Sequence, residues 1–129
     1  MLEALLGILI FTIGIIGLVG MQASAMKLAA DSKYRSEAAM FADQLINQMQ
    51  SDNIANLAAD YAGAAGAGGP KYAAWVNDVT AAGTGLPGAS LADNLPIVTV
   101  VNNTVTITIR WQAPGETAAH RLVTLAVVI

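Results

Sequence analysis

Few residues in this 129-residue chain have types that could carry chemistry, and their spacing decides what kind. His120 is the only histidine, and the absence of cysteine removes thiol catalysis, thiolate metal sites and disulfides. An active centre needs a nucleophile beside a base, a metal cluster or a phosphate cradle. His120, next to Arg121 at the start of an expected strand, reads as a surface residue and not as a base. Asp78, Asp93 and Glu116 could converge on Ca²⁺, but no Asp-x-Asp spacing gathers carboxylates as a hard-cation loop does. Gly66-x-Gly68-Gly69 lacks the preceding strand and the lysine of a P-loop, so it reads as flexible loop. Asn102-Asn103-Thr104 matches a glycosylation sequon, a pattern common by chance. The expectation is a chain that is not an enzyme, with no cofactor, no metal and no small-molecule substrate.

Glu3 stands apart, because it heads an apolar run, Ala4 to Met26, of 23 residues without a charge. As a helix rising 1.5 Å per residue this run covers roughly 34 Å, against a hydrocarbon core of about 30 Å. A carboxylate at mid-membrane costs about 2.5–3.5 kcal/mol on insertion scales, and less near the interface, so a partner is expected. The next cation, Lys27, lies roughly 36 Å along such a helix. A partner within the membrane is therefore the N-terminal amine or another molecule. The plainer reading places Glu3 among headgroups, where it favours the positive helix N-terminus; the sharper one is intermolecular charge pairing. A removable signal peptide would carry a basic residue where Glu3 stands, with cleavage after Ala25 as the alternative.

Gly7, Gly14, Gly17 and Gly20 punctuate the same segment, each weakening helix by about 0.8–1.0 kcal/mol relative to Ala. The β-branched Ile13, Ile15, Ile16 and Val19 between them add to that reluctance. The spacing of three from Gly14 to Gly20 drifts around the helix, so no strict small-xxx-small stripe forms.

The residues MLEALLGILIFTIGIIGLVGMQASAMKLAA, with their Glu at the head of an uninterrupted Leu/Ile-rich run that continues into a polar helix, resemble the type IV pilins, and among them the minor pilins of the PilV type. The resemblance covers about the first 50 residues. It implies a prepilin peptidase that removes a basic leader and methylates the new amine. It also implies a helical filament in which Glu3 neutralises the N-terminal amine of a neighbouring subunit. In that family the Glu lies four residues beyond the amine. Here it is two residues in, so two mature residues are expected to precede Met1. Filament models of the family unwind part of the helix where Gly14, Gly17 and Gly20 fall, which leads to an expected break within residues 12–20 on assembly and a continuous helix in the membrane. The nearby proline of many major pilins is absent here.

The rest of the chain must position this segment. Tyr34, Ala38, Phe41, Leu45 and Met49 recur at spacings of three and four, and Ile54, Leu57 and Tyr61 carry the stripe onward. One helix through Tyr61 is expected, with Lys27–Asp31, Asp31–Arg35 and Lys33–Glu37 pairs on its solvent face. Gly63–Pro70 reads as a loop, and Lys71–Ala82 as a second helix that packs through Tyr72, Trp75, Val76 and Val79. Gly83–Pro96 reads as a surface loop.

Ile97–Val101, Thr104–Ala113 and Arg121–Ile129 are strand candidates. The middle one alternates Val105, Ile107, Ile109 and Trp111 against Thr104, Thr106, Thr108 and Arg110, and Asn102-Asn103 suits a two-residue hairpin turn. The fold class is α+β: a long N-terminal helical spine on a small three-stranded antiparallel sheet. The apolar helix occupies residues 1–26, and the head 27–129 includes the amphipathic half of the helix at 27–61. The last strand is expected to hold by ladder bonds and by Leu122, Leu125, Val127 and Ile129, and to fray at its end.

Composition narrows the function. The chain is 55% hydrophobic and only 12% charged, which excludes intrinsic disorder. A net charge of −3 with no Lys/Arg cluster excludes a nucleic-acid partner. The family resemblance implies a structural subunit of a type IV pilus whose partners are other pilin subunits, held in the bacterial inner membrane before assembly and extracellular afterwards. Placement near the filament tip, where a minor pilin helps to begin assembly, follows from the resemblance alone. A type II secretion pseudopilin is the rival within that class. A membrane-anchored adhesin reading through Gly63–Pro70 and Gly83–Pro96 is the rival outside it.

Overall fold

The computed structural model describes all residues, 1–129. It is an α+β fold whose nine elements begin with a 50-residue helix, α1 (Leu2–Ser51). The chain divides into two compact units, Met1–Lys33 and Tyr34–Ile129. The first unit is helix alone.

The second unit holds the core. From Tyr34 onward α1 becomes amphipathic, and Ala38, Phe41, Ala42, Leu45 and Met49 are buried. The expected single helix through Tyr61 does not form. α1 stops at Ser51, and a 3₁₀ turn (Ile54–Asn56) and a short α2 (Leu57–Tyr61) follow. Ser51, Asp52 and Asn53 are three consecutive residues whose side chains compete with helical backbone bonds. The Ser51 hydroxyl donates back to the Gln48 carbonyl at 2.8 Å. The Asn53 side chain accepts from the Ala55 amide at 3.0 Å, capping the new turn from an extended backbone. The break resets the helical phase, so that Leu57 and Tyr61 are buried while Ile54 is exposed.

The glycine-rich tract also departs from expectation. Gly63–Ala64 (β1) and Ala67–Gly68 (β2) pair as a minimal antiparallel hairpin. Its two turn residues, Ala65 (φ 52) and Gly66 (φ 79), are both left-handed, as a type I′ connection requires. Glycine is needed here for space. A Cβ on Gly68 would stand 2.6 Å from the Ala62 carbonyl oxygen and from the Tyr72 ring. Pro70 then opens α3 (Pro70–Thr80) at its first position, where a missing N–H costs nothing. Tyr72, Trp75, Val76 and Val79 of α3 are buried, as expected.

The strands β3 (Ile97–Val101), β4 (Thr104–Trp111) and β5 (His120–Val127) form an antiparallel meander. With the small hairpin added through Gly63↔Val98, the sheet has five strands in the order β2-β1-β3-β4-β5, where three were expected. On β4, Val105, Ile107, Ile109 and Trp111 are buried and Thr104, Thr106, Thr108 and Arg110 face outward. Each fully buried large side chain contributes about 1.5–3 kcal/mol. Asn102, at φ 54, turns β3 into β4.

Two further expectations are corrected. The Gly83–Pro96 segment is not simply surface, since Leu86, Ala89 and Pro96 are buried. On β5 the inner face carries Leu122, Thr124 and Ala126, whereas Leu125 and Val127 point out at 67% and 61% exposure. The strand end is held by Val128, fully buried, whose amide donates to the Asn103 carbonyl at 2.9 Å. Ile129 lies beyond it, exposed.

Candidate assembly site

The residues singled out for assembly lie on the first unit. Every side chain from Met1 to Leu28 is exposed, and this stretch of α1 is long and apolar enough to cross a membrane. Along it the polar groups are few. The Thr12 hydroxyl donates to the Ile8 carbonyl at 2.6 Å, one turn back, which is how a hydroxyl is accommodated in hydrocarbon.

Glu3 lies in the first turn, exposed, with no hydrogen bond or ion pair within the chain. The helix is continuous through Gly7, Gly14, Gly17 and Gly20. Nothing lies within 4 Å of where a Cβ on any of the four would stand. The fold of the isolated chain therefore gives no packing reason for glycine at these positions. Their cost to helix stability is borne without an intrachain return.

The remaining candidate residues lie on the second unit. Asp78 sits on α3, the Asp93 carbonyl accepts from Arg110 Nη1 at 2.9 Å, and the Glu116 carboxylate meets His120 Nε2 at 2.6 Å. These three acids do not converge, and no group of three His, Asp or Glu side chains is placed to hold a metal ion. His120 is half-buried, stacked on the Trp111 indole at 5.6 Å between ring centroids. The His120–Glu116 pair thereby closes the Pro114–Ala119 connection between β4 and β5. Gly66-x-Gly68-Gly69 forms the β1–β2 hairpin and its exit. Asn102 and Asn103 sit exposed in the β3–β4 turn.

One cluster escaped the sequence reading. Asp52, at the end of α1, accepts from both the Tyr61 hydroxyl and the Lys71 ammonium. Lys71 also lies 3.9 Å from an Asp60 carboxylate oxygen and 5.4 Å from the Tyr61 ring centroid. Hydrogen bonds from Lys71 and then Tyr61 hold the Asp52 carboxyl below its ordinary value, while burial and then Asp52 push the Tyr61 phenol well above its own. Asp52 and Lys71 are nineteen positions apart, so no local spacing could have paired them. The cluster ties α1, α2 and α3 together at the helix break.

The class these features define is a small α+β head carrying one membrane-length apolar helix with an acid at its start. Comparisons with family models, curated proteins and solved structures find no match to this chain.

Proposed function

We propose that this chain is a structural subunit of a type IV pilus, a minor pilin of the PilV type that enters the filament through α1. The observation that carries the reading is Glu3, an exposed carboxylate without an intrachain partner at the head of an exposed apolar helix. In lipid or in a filament core such a charge is costly until a cation meets it, and a neighbouring subunit's N-terminal amine has the charge and the position along the helix to do so. The same helix anchors the chain in the inner membrane before assembly. Three glycines that the isolated fold does not need support a helix that unwinds or packs closely within residues 12–20 on assembly.

The test is incorporation. Glu3→Gln and Glu3→Ala chains are expected to reach the membrane at normal levels with the head folded, and to be at least tenfold depleted in sheared filaments. Normal abundance of either variant in filaments would refute the reading.

A further inference from the structure

β5 is the outer strand of the sheet, paired on one side only. Its register with β4 is unbroken from Thr104↔Val127 to Trp111↔His120 and extends to Asn103 and Val128, where the Val128 amide bonds the Asn103 carbonyl. In an antiparallel ladder, hydrogen-bonded and non-hydrogen-bonded pairs alternate. Ala126, Thr124, Leu122 and His120 therefore turn their N–H and C=O groups toward β4. Arg121, Val123, Leu125 and Val127 turn theirs to the open edge. These four residues also carry the outward side chains, with Val123, Leu125 and Val127 at 42%, 67% and 61% exposure.

Four donors and four acceptors in a row, flanked by aliphatic side chains, make a template for another strand. The edge has no proline, no bulge and no inward charge to block strand addition, and its one charged side chain, Arg121, stands at the end of the open row.

We infer that β5 pairs with β5 of a second copy, antiparallel about a two-fold axis at Thr124. The edge is self-complementary in that register. Arg121 meets Val127 of the second copy and Val123 meets its Leu125, and the mirror pairs follow, so all eight open groups of each strand are bonded. No like charges face one another, because each Arg121 lies opposite a valine. On the other face Thr124 meets its own copy, a favourable cross-strand pair. Two five-stranded sheets become one of ten strands.

The axis is normal to the sheet and reverses every direction in its plane. The contact thus joins heads that point opposite ways, so under the pilus reading it links copies of separate filaments and not neighbours within one filament or one membrane.

The chain has no cysteine, so one can be introduced cleanly. Thr124 and its copy form a non-hydrogen-bonded pair with Cα atoms about 4.5 Å apart, within disulfide range. Full-length Thr124→Cys chain in detergent is expected to form a disulfide-linked dimer on mild oxidation at least tenfold faster than Leu122→Cys, whose opposite residue is Ala126. Adding Val123→Lys to Thr124→Cys is expected to slow linkage at least tenfold. Leu125→Lys serves in its place should Val123→Lys lower the melting temperature of the head. Equal linkage at positions 122 and 124, insensitivity to the lysine, or linkage of the Thr124→Cys chain to a different protein would each overturn the proposal.

Discussion

The indole Nε1–H of Trp75 donates to the backbone carbonyl of Phe41 at 2.9 Å, fastening α3 to the middle of the amphipathic part of α1. Both residues belong to the core cluster, and Trp75 lies tilted beside Tyr72 with ring centroids 6.5 Å apart. One side chain thus supplies packing and a directional bond.

Trp75→Phe removes that donor and part of the ring. The expected cost is about 1–3 kcal/mol from the lost bond and the space left behind. At roughly 4–8 °C per kcal/mol for a head of this size, the melting temperature falls visibly in a calorimetric scan. An unchanged melting temperature would show that the contact carries no stability.

Glycine substitutions separate the two units. Gly68→Ala puts a methyl 2.6 Å from the Ala62 carbonyl and the Tyr72 ring, so the head should lose about 2 kcal/mol or more, read as a lower melting temperature. The triple variant Gly14→Ala, Gly17→Ala, Gly20→Ala meets nothing and stabilises helix by about 0.8–1.0 kcal/mol per site. Amide exchange through residues 12–20 in detergent should slow at least tenfold while the melting of the head stays put. If unwinding of this stretch serves assembly, the same variant is also depleted from filaments.

The acid stability of the head depends on Asp52. Its carboxyl is held below the ordinary carboxylate value by Lys71 and Tyr61, so the stability it contributes is present above that ordinary value and lost as pH falls through the lowered one. Between pH 5 and about 2 the wild-type melting temperature should fall more steeply than that of Asp52→Asn, which lacks the titrating group. Parallel curves would remove the cluster from the account.

Alkaline behaviour has the opposite sign. The Tyr61 phenol is raised mainly by burial and then by its bond to Asp52, and Tyr72 is raised mainly by burial. Stability from both is full below the ordinary tyrosine value of 10.0 and declines above it. Ultraviolet absorbance titration should show these two phenols ionising together with loss of the head's structure. Phenolate formation by both in a folded head would contradict the burial seen here.

Asn102 adopts φ 54 in the β3–β4 turn, a conformation that Asn tolerates and β-branched residues resist. Asn102→Val should cost about 1–2 kcal/mol in thermal stability and Asn102→Gly close to nothing. Equal effects of the two would show that the turn relaxes to another form.

Local pattern alone determined several parts of this protein. The apolar run after Glu3, the Tyr72/Trp75/Val76/Val79 stripe of α3 and the alternation of β4 are each written in consecutive residues whose period matches the element they form. The Asn102-Asn103 turn is legible for the same reason. Glu3 is legible as a candidate because a lone carboxylate in an apolar run is anomalous wherever the chain folds.

Tertiary structure decided what period cannot encode. β5 has aliphatic residues on both faces, so alternation could not say whether Leu122 or Leu125 turns inward; the register with β4, through Val128 and Asn103, settled it. The β1–β2 hairpin has almost no side chains to pattern and exists because the Tyr72 ring needs the room that Gly63 and Gly68 leave. The Asp52–Tyr61–Lys71 cluster arises from contacts between different elements, nine and nineteen positions apart, which become visible only once the chain has closed on itself.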